Sequence, residues 1–593
     1  MKKIFFLSTI VATFACANHP EKNTDAMKNI NEVADAYYEE RLQYFPLEAT
    51  AINDIRYNDR LPVDISDSYR NKLKGFYKKY SDRLDSIDRT HLSGQELLSY
   101  DVLKREMKLQ LEGLEFKDNL MPINQFWSIH LTFPLLGSGS GNQPFNTVKD
   151  YDNFLSRIKD FSAYIDTAIA NMRKGIKEGI VPPAVLMQKV LPQLKEIIVS
   201  TPEESVFYTP ITKFPGSFSE TDKMRLTAAY KQAIMEEIII SYRKLHEFIS
   251  LEYLPACRAT AGISEIPNGK AYYAYMARVW TTTDMTPEQI FETGQKEVKR
   301  IRAEMENVMR ETGFTGDLKA FFHFIHTDKR FMPFKNDDEV INTFRSYEKI
   351  MEPKLKEFFN LVPKAKFEVR QTEKFREASA SAEYNQSAPD GSRPGIFYVP
   401  VIDARKFNIV GMEDLFLHEA IPGHHYQISI QQENDTLPKF RRFGWFGAYG
   451  EGWALYSESL GKDLGLYTDP YQYFGRLSEE MHRAIRLVVD VGIHAKGWSR
   501  EQAIQFSLDN EAESESDIIA EIERYMAIPG QALAYKIGQL KILELRHFAE
   551  EKLGDKFILK NFHDEVLKDG CLPLDVFEGK MKRWIEKHRK GAA

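Results

Sequence analysis

Three cysteines in 593 residues leave little room for sulfur chemistry. Cys16 sits in an apolar N-terminal stretch, so only Cys257 and Cys571 remain for the body of the chain. Two thiols can pair once, but they do not make a disulfide framework. They are also too few for a cysteine-ligated zinc site, so any metal here must be held by histidine and carboxylate. Long apolar runs are missing as well: after the extreme N-terminus no segment stays apolar for about 20 residues, and no internal membrane helix is expected. A basic excess is absent, because 79 Lys+Arg stand against 86 Asp+Glu for a net charge of -7. A dedicated nucleic-acid binder would show a basic domain or stripe, so no nucleic-acid partner is expected. Internal repeats and long low-complexity segments are not found.

With 43% hydrophobic and 28% charged residues, the composition is that of an ordinary globular protein. Apolar residues recur at spacings of three and four over 29–41, 67–87, 94–113, 148–178, 219–253 and 286–312, which predicts amphipathic helices. Thr286-Pro287-Glu288-Gln289 reads as a helix start, with a cap, an early proline and an acidic first turn. Two stretches break the pattern. Residues 120–145 combine Phe126, Trp127, Phe133 and Phe145 with Gly137-Ser138-Gly139-Ser140-Gly141, and read as an aromatic loop. Residues 366–401 hold two strand-like runs, Phe367 to Arg370 and Ile396 to Val399, around a Pro/Gly-rich turn. The expected division is 1–17 signal peptide, 18–30 tether, 31–280 N-terminal helical region and 281–593 catalytic helical region.

Met1-Lys2-Lys3, an apolar run from Ile4 to Phe14, and Ala15-Cys16-Ala17 have the shape of a bacterial export signal. Cys16 is the expected lipidation site. The alternative is cleavage by an ordinary signal peptidase, which would leave the protein free in the periplasm. Export to the cell envelope, as a periplasmic or outer-membrane lipoprotein, is the expectation, with the lipid as sole membrane contact.

The most informative segment is Leu417-His418-Glu419-Ala420-Ile421-Pro422-Gly423-His424-His425. A zinc hydrolase needs neutral imidazoles on the metal and a carboxylate beside the reacting water. In His-Glu-x-x-His the histidines share one helix face at i and i+4. Here Pro422-Gly423 intervenes. A six-residue separation turns about 600°, so His418 and His424 would not share a face of a regular helix. His425 returns to that face but lies about 10.5 Å further along the axis, too far for one ion. A bulge at Pro422-Gly423 would bring His424 near the i+4 position. His424 is therefore preferred as second ligand, with His425 as the alternative. Glu451, 27 positions after His424 in Gly450-Glu451-Gly452-Trp453, is the expected third ligand. Glu458, seven further on, is placed behind a ligand histidine.

At these residues the chain resembles the bacterial family catalogued as domain of unknown function 885, whose members are often lipoproteins grouped with zinc metallopeptidases. The resemblance extends to Asp390-Gly391-Ser392-Arg393-Pro394-Gly395, Arg486-Leu487-Val488-Val489-Asp490, Gly497-Trp498-Ser499-Arg500, Arg524-Tyr525 and Pro529-Gly530-Gln531-Ala532. More widely, Glu451-Gly452-Trp453-Ala454-Leu455-Tyr456 is similar to the zinc-binding glutamate segment of aminopeptidases. Gly423-His424 resembles the motif end in angiotensin-converting enzyme and thimet oligopeptidase, which lack the Pro-Gly insertion. The resemblance implies a mainly α, two-lobed helical body with a small sheet beside the metal-binding helix. It further implies one zinc ion on His418, His424 and Glu451, with Glu419 as general base. An oxyanion donor from a later helix is implied too: Tyr535 or His494, with Tyr525 and Arg524 next. The expected function is hydrolysis of short peptides, as a carboxypeptidase or dipeptidase would perform it. The rivals are a non-catalytic peptide- or ligand-binding lipoprotein and a zinc amidase acting on cell-wall fragments.

Overall fold

A computed structural model describes residues 24–591, apart from 375–376, 378–380 and 389–392. The expected signal peptide, Cys16 and part of the tether lie outside the described residues, as do Asp390, Gly391 and Ser392. Helices dominate. Thr24–Tyr44 (α1), Asp67–Asp85 (α2) and Gly94–Gly113 (α3) pack around Tyr37, Phe76, Tyr80, Leu103 and Met107. The stretch 120–145 is not simply a loop: Ile129–Gly137 (α4) is helical and buries Phe133, while Phe126 and Trp127 stay exposed. The glycine- and serine-rich run after Gly137 hid a short apolar helix.

Val148–Glu178 (α5) matches its periodicity. Tyr151, Phe154, Ile158, Phe161, Ile165 and Met172 form the buried stripe; each is worth about 1.5–3 kcal/mol of burial. A Thr147–Asp150 capping box opens the helix and Gly179, at φ 70°, closes it. The expected single helix over 219–253 is interrupted by π-helical turns at Ile234–Ile238 and Ile249–Tyr253. Pro287–Glu311 (α6) starts at the predicted Thr286 cap, whose Oγ1 accepts from Gln289 N at 3.3 Å.

The sheet has order β1-β3-β2: Phe367–Gln371 (β1), Glu383–Asn385 (β2) and Gly395–Val399 (β3). The buried central β3 runs parallel to β1 and antiparallel to β2. The Glu-Tyr-Asn strand was not legible, because three residues carry no alternation. Beyond the sheet come Met412–Glu419 (α7), His424–Glu433 (α8), Gly447–Glu458 (α9), Pro470–Lys496 (α10), Glu515–Ala527 (α11) and Ala534–Leu553 (α12). One apolar cluster spans Leu61 to Ile585 and includes residues from both sides of position 280. α10, about 40 Å long at 1.5 Å per residue, is buried continuously from Ala484 to His494. Cys257 and Cys571 are free thiols, and no described helix is long and apolar enough to cross a membrane.

Glycine sets the closest helix contact. A Cβ on Gly538 of α12 would lie 1.8 Å from the Ala448 carbonyl oxygen, and one on Gly452 of α9 would lie 2.5 Å from Gly538 Cα. Backbone meets backbone there, so neither neighbour can give way. At Gly447 a Cβ meets only the Ala534 methyl at 3.9 Å. Gly538→Ala is therefore expected to lower unfolding stability by about 2 kcal/mol, and Gly447→Ala by less than about 0.5 kcal/mol. Equal denaturation midpoints for the two variants would contradict this packing.

Candidate metal centre

The helix carrying His418 stops one residue later. Ala420 leaves helical space at φ −101°, ψ −106°. The chain crosses a cis Ile421-Pro422 bond, and α8 restarts at His424. Gly423 makes this path possible, since a Cβ there would sit 2.0 Å from the His418 carbonyl and 2.3 Å from that of Leu417. The loop is pinned from α9, where Trp453 Nε1 donates to the Pro422 carbonyl at 2.7 Å.

The break brings the His418 and His424 rings to 4.8 Å between centroids. Glu451 enters from α9, with Oε2 at 3.7 Å from His418 Nε2 and 3.6 Å from His424 Nε2. Four ligands at about 2.1 Å in a tetrahedron stand about 3.4 Å apart, so these separations suit donors around one cation better than they suit hydrogen bonds. The three donor atoms lie within 4.8 Å of one another, and the set could hold a metal ion. His418 Nδ1 donates to Glu458 Oε1 at 2.7 Å, which fixes the ring and leaves Nε2 for the centre.

The electrostatics suit a cation. Burial opposes a charge on His418, yet Glu451 and Glu458 outweigh it and hold its pKa well above the usual imidazole range. Burial likewise disfavours the Glu451 carboxylate, but His418 and His424 overcome this and hold it well below the ordinary value. Glu419 is raised: burial dominates, His424 and His418 oppose it, and Glu451 adds to it. Asp414, one turn before His418, is pushed up by burial and by Glu458.

His425 is not part of this set. Its Nδ1 meets Tyr384 Oη of β2 at 2.9 Å, its ring packs on Phe367 of β1, and burial lowers its pKa to about 4. His494 requires a correction. It is fully buried in α10, where Nδ1 accepts from Ile263 N at 3.0 Å and Nε2 donates to the Tyr525 carbonyl at 3.0 Å. Both nitrogens serve the backbone, so His494 has no donor for an oxyanion. Tyr525 is also committed, donating to Glu521 Oε2 at 2.7 Å. Tyr535, at the start of α12, lies with its ring 4.6 Å from the Arg486 guanidinium carbon.

A cavity of about 500 Å³ is lined by His418 and Glu419 together with Arg483, Arg486, Asp517 and Glu521 of α10 and α11. Sequence reasoning assigned these walls no role. One signal was available: His482, Arg486, Asp490 and His494 recur every four residues along α10.

Fold and site together define a mainly helical protein with a His-His-Glu centre built across a broken helix. The chain belongs to the bacterial protein family of unknown function DUF885, whose model matches residues 46–581. A solved chain from Colwellia psychrerythraea, described as a "putative lipoprotein", is 28% identical with a TM-score of 0.85, over 95% of this chain and 99% of that one. A second, from Shewanella oneidensis, described as a "putative lipoprotein of unknown function", is 19% identical with a TM-score of 0.74, over 93% and 99%. The latter shares the fold. No curated protein matches.

Gly423→Ala is expected to cost about 2 kcal/mol or more, because the added methyl meets two carbonyl oxygens of α7. A thermal melt matching the parent's would contradict the proposed role of the glycine.

Proposed function

We propose that this protein is a zinc-dependent hydrolase of peptide bonds. The observation that carries this reading is the convergence of His418, His424 and Glu451, with Glu419, the residue after the first ligand, lining a cavity beside His418. Zinc held by these three side chains would supply Lewis acidity to a water molecule and to a substrate carbonyl. Glu419 accepts the proton of that water on its carboxylate and delivers it to the leaving amine; burial moves its pKa in the direction a general base needs. Glu458 keeps His418 in the tautomer that presents Nε2. Of the four candidate oxyanion donors Tyr535 is preferred, since both nitrogens of His494 are engaged, Tyr525 donates to Glu521, and Arg524 is held by Glu521 and Gln531. The edge strand β2, with Tyr384 against α8, supports an extended peptide lying along the sheet.

The 28% identical relative described as a "putative lipoprotein", together with Cys16 behind its apolar run, supports an exported protein anchored by lipid on Cys16. Cys16→Ala expressed in bacteria fed labelled palmitate should carry no label, whereas the parent should carry it; equal labelling would refute the anchor.

The decisive test of the hydrolase is metal content followed by peptide cleavage. The parent should bind about one zinc per chain and His418→Ala none. Glu419→Gln should keep its zinc and lose at least about 100-fold in kcat. Tyr535→Phe should also keep zinc while kcat falls. Because Glu451 and Glu458 favour a proton on His418, metal and proton compete, and zinc affinity should weaken as pH falls, beginning above the ordinary imidazole range. A parent without stoichiometric zinc, or a fully active Glu419→Gln, overturns the reading.

A further inference from the structure

The cavity beside Glu419 is lined by two arginines of α10 that stand in different electrostatic positions. Arg483 is paired with Glu479, one turn before it on the same helix. Arg486 is deeper, with its side chain only 9% exposed. Its Nε donates to Tyr525 Oη at 3.0 Å, and its Nη2 donates to Glu521 Oε2 at 3.0 Å and meets His482 Nε2 at 3.1 Å. Its guanidinium carbon lies 4.6 Å from the centre of the Tyr535 ring. Nη1 is buried and makes no hydrogen bond.

The neighbouring carboxylates are already engaged. Glu521 is shared, because Arg524 Nη2 also meets its Oε2, at 2.7 Å. His482 has its own partner in Glu511, at 2.5 Å. Two guanidinium groups therefore divide the Glu521 carboxylate, and Nη1 of Arg486 is left without an acceptor. Glu513 and Asp517 also line the cavity but are exposed, where water screens them. A buried cation with an unpaired donor is costly until an anion meets it. A planar guanidinium fixed on two other sides is preorganised for a carboxylate.

We propose that Arg486 binds a substrate carboxylate, the free C-terminal carboxylate of a peptide, and so makes the protein act on peptides from their C-terminal end. This deepens the peptidase reading and rests on it for the reaction, though not for the binding. Arg486 lines the same cavity as His418 and Glu419, so a peptide held there by its terminus shares that cavity with the first metal ligand and the base. Side-chain carboxylates share this chemistry, and the test separates the two sources.

Binding is measured by calorimetry on the full-length mature protein carrying Glu419→Gln, which removes turnover. The probes are Ala-Phe with a free C-terminus, Ala-Phe amide, and Ala-Glu amide. Ala-Phe should bind at least about 30-fold more tightly than either amide, as expected for a buried charge pair. Adding Arg486→Gln should abolish that preference by weakening Ala-Phe alone. Arg486→Lys, which keeps the charge, should restore part of it, with zinc content and circular dichroism checking that both variants fold. Equal binding of acid and amide, no binding of any probe, or an equal loss on all probes in Arg486→Gln overturns the proposal. Tighter binding of Ala-Glu amide than of Ala-Phe overturns it in favour of side-chain recognition. Selective binding by the Glu419→Gln protein with no hydrolysis by the parent would sink the peptidase reading and leave Arg486 as a carboxylate anchor. Hydrolysis of acid and amide alike would do the reverse.

Discussion

Two imidazoles and two carboxylates come together on three short helices, His418, His424 and Glu458 buried and Glu451 half-buried, and the surrounding packing keeps them there. Ionisable groups in such a place are unfavourable unless each meets a partner. Glu458 has His418, and Glu451 faces both imidazoles. The arrangement depends on the ends of α7 and α8 staying close, which a continuous helix could not provide. Gly423 permits the close return, and Trp453 holds the Pro422 carbonyl from α9. The Gly452–Gly538 crossing in turn seats α9 against α12. Each contact lies farther from the donors, and each tolerates less added volume than an ordinary surface position.

The part of the cavity that α10 lines is built on another principle. α10 crosses the apolar core for much of its length, yet it carries a row of polar residues at four-residue intervals. Asp490 receives Tyr273 Oη at 2.6 Å and the Gly530 amide, so the lower part of the row ties the helix to its neighbours. Burial pushes the Asp490 carboxyl up to about 7. His494 belongs to this same tying system. Only the upper part of the row, His482 and Arg486, borders the cavity. One helix thus provides both scaffold and cleft wall, and a residue's height along it decides which role it has.

Much of this was legible in the chain itself. Regular amphipathic spacing located α3 and α5, and the Thr286 capping pattern located the start of α6. The His418, His424 and Glu451 cluster was reached from the His-Glu motif, its spacing and its resemblance to zinc peptidases, with few cysteines leaving histidine and carboxylate as candidates, and the Pro-Gly insertion required a bulge if His424 was to join His418. Other features were not legible for physical reasons. His494 followed a glycine near the end of an apolar helix and carried no local sign that two backbone groups, 231 and 31 residues away, would take both nitrogens. The strand at Glu383–Asn385 forms only because β3 supplies its partner. Helix Ile129–Gly137 was masked by the glycine and serine that follow it.

The account turns on whether the broken helix delivers His424, rather than His425, to a metal shared with His418 and Glu451. A crystal structure of the zinc-loaded protein with anomalous data at the zinc edge tests this most directly. The account predicts a single zinc peak bonded to His418 Nε2, His424 Nε2 and a Glu451 oxygen at about 2.0–2.2 Å. A peak at His425, or no peak at the three donors in protein soaked with zinc, would contradict it.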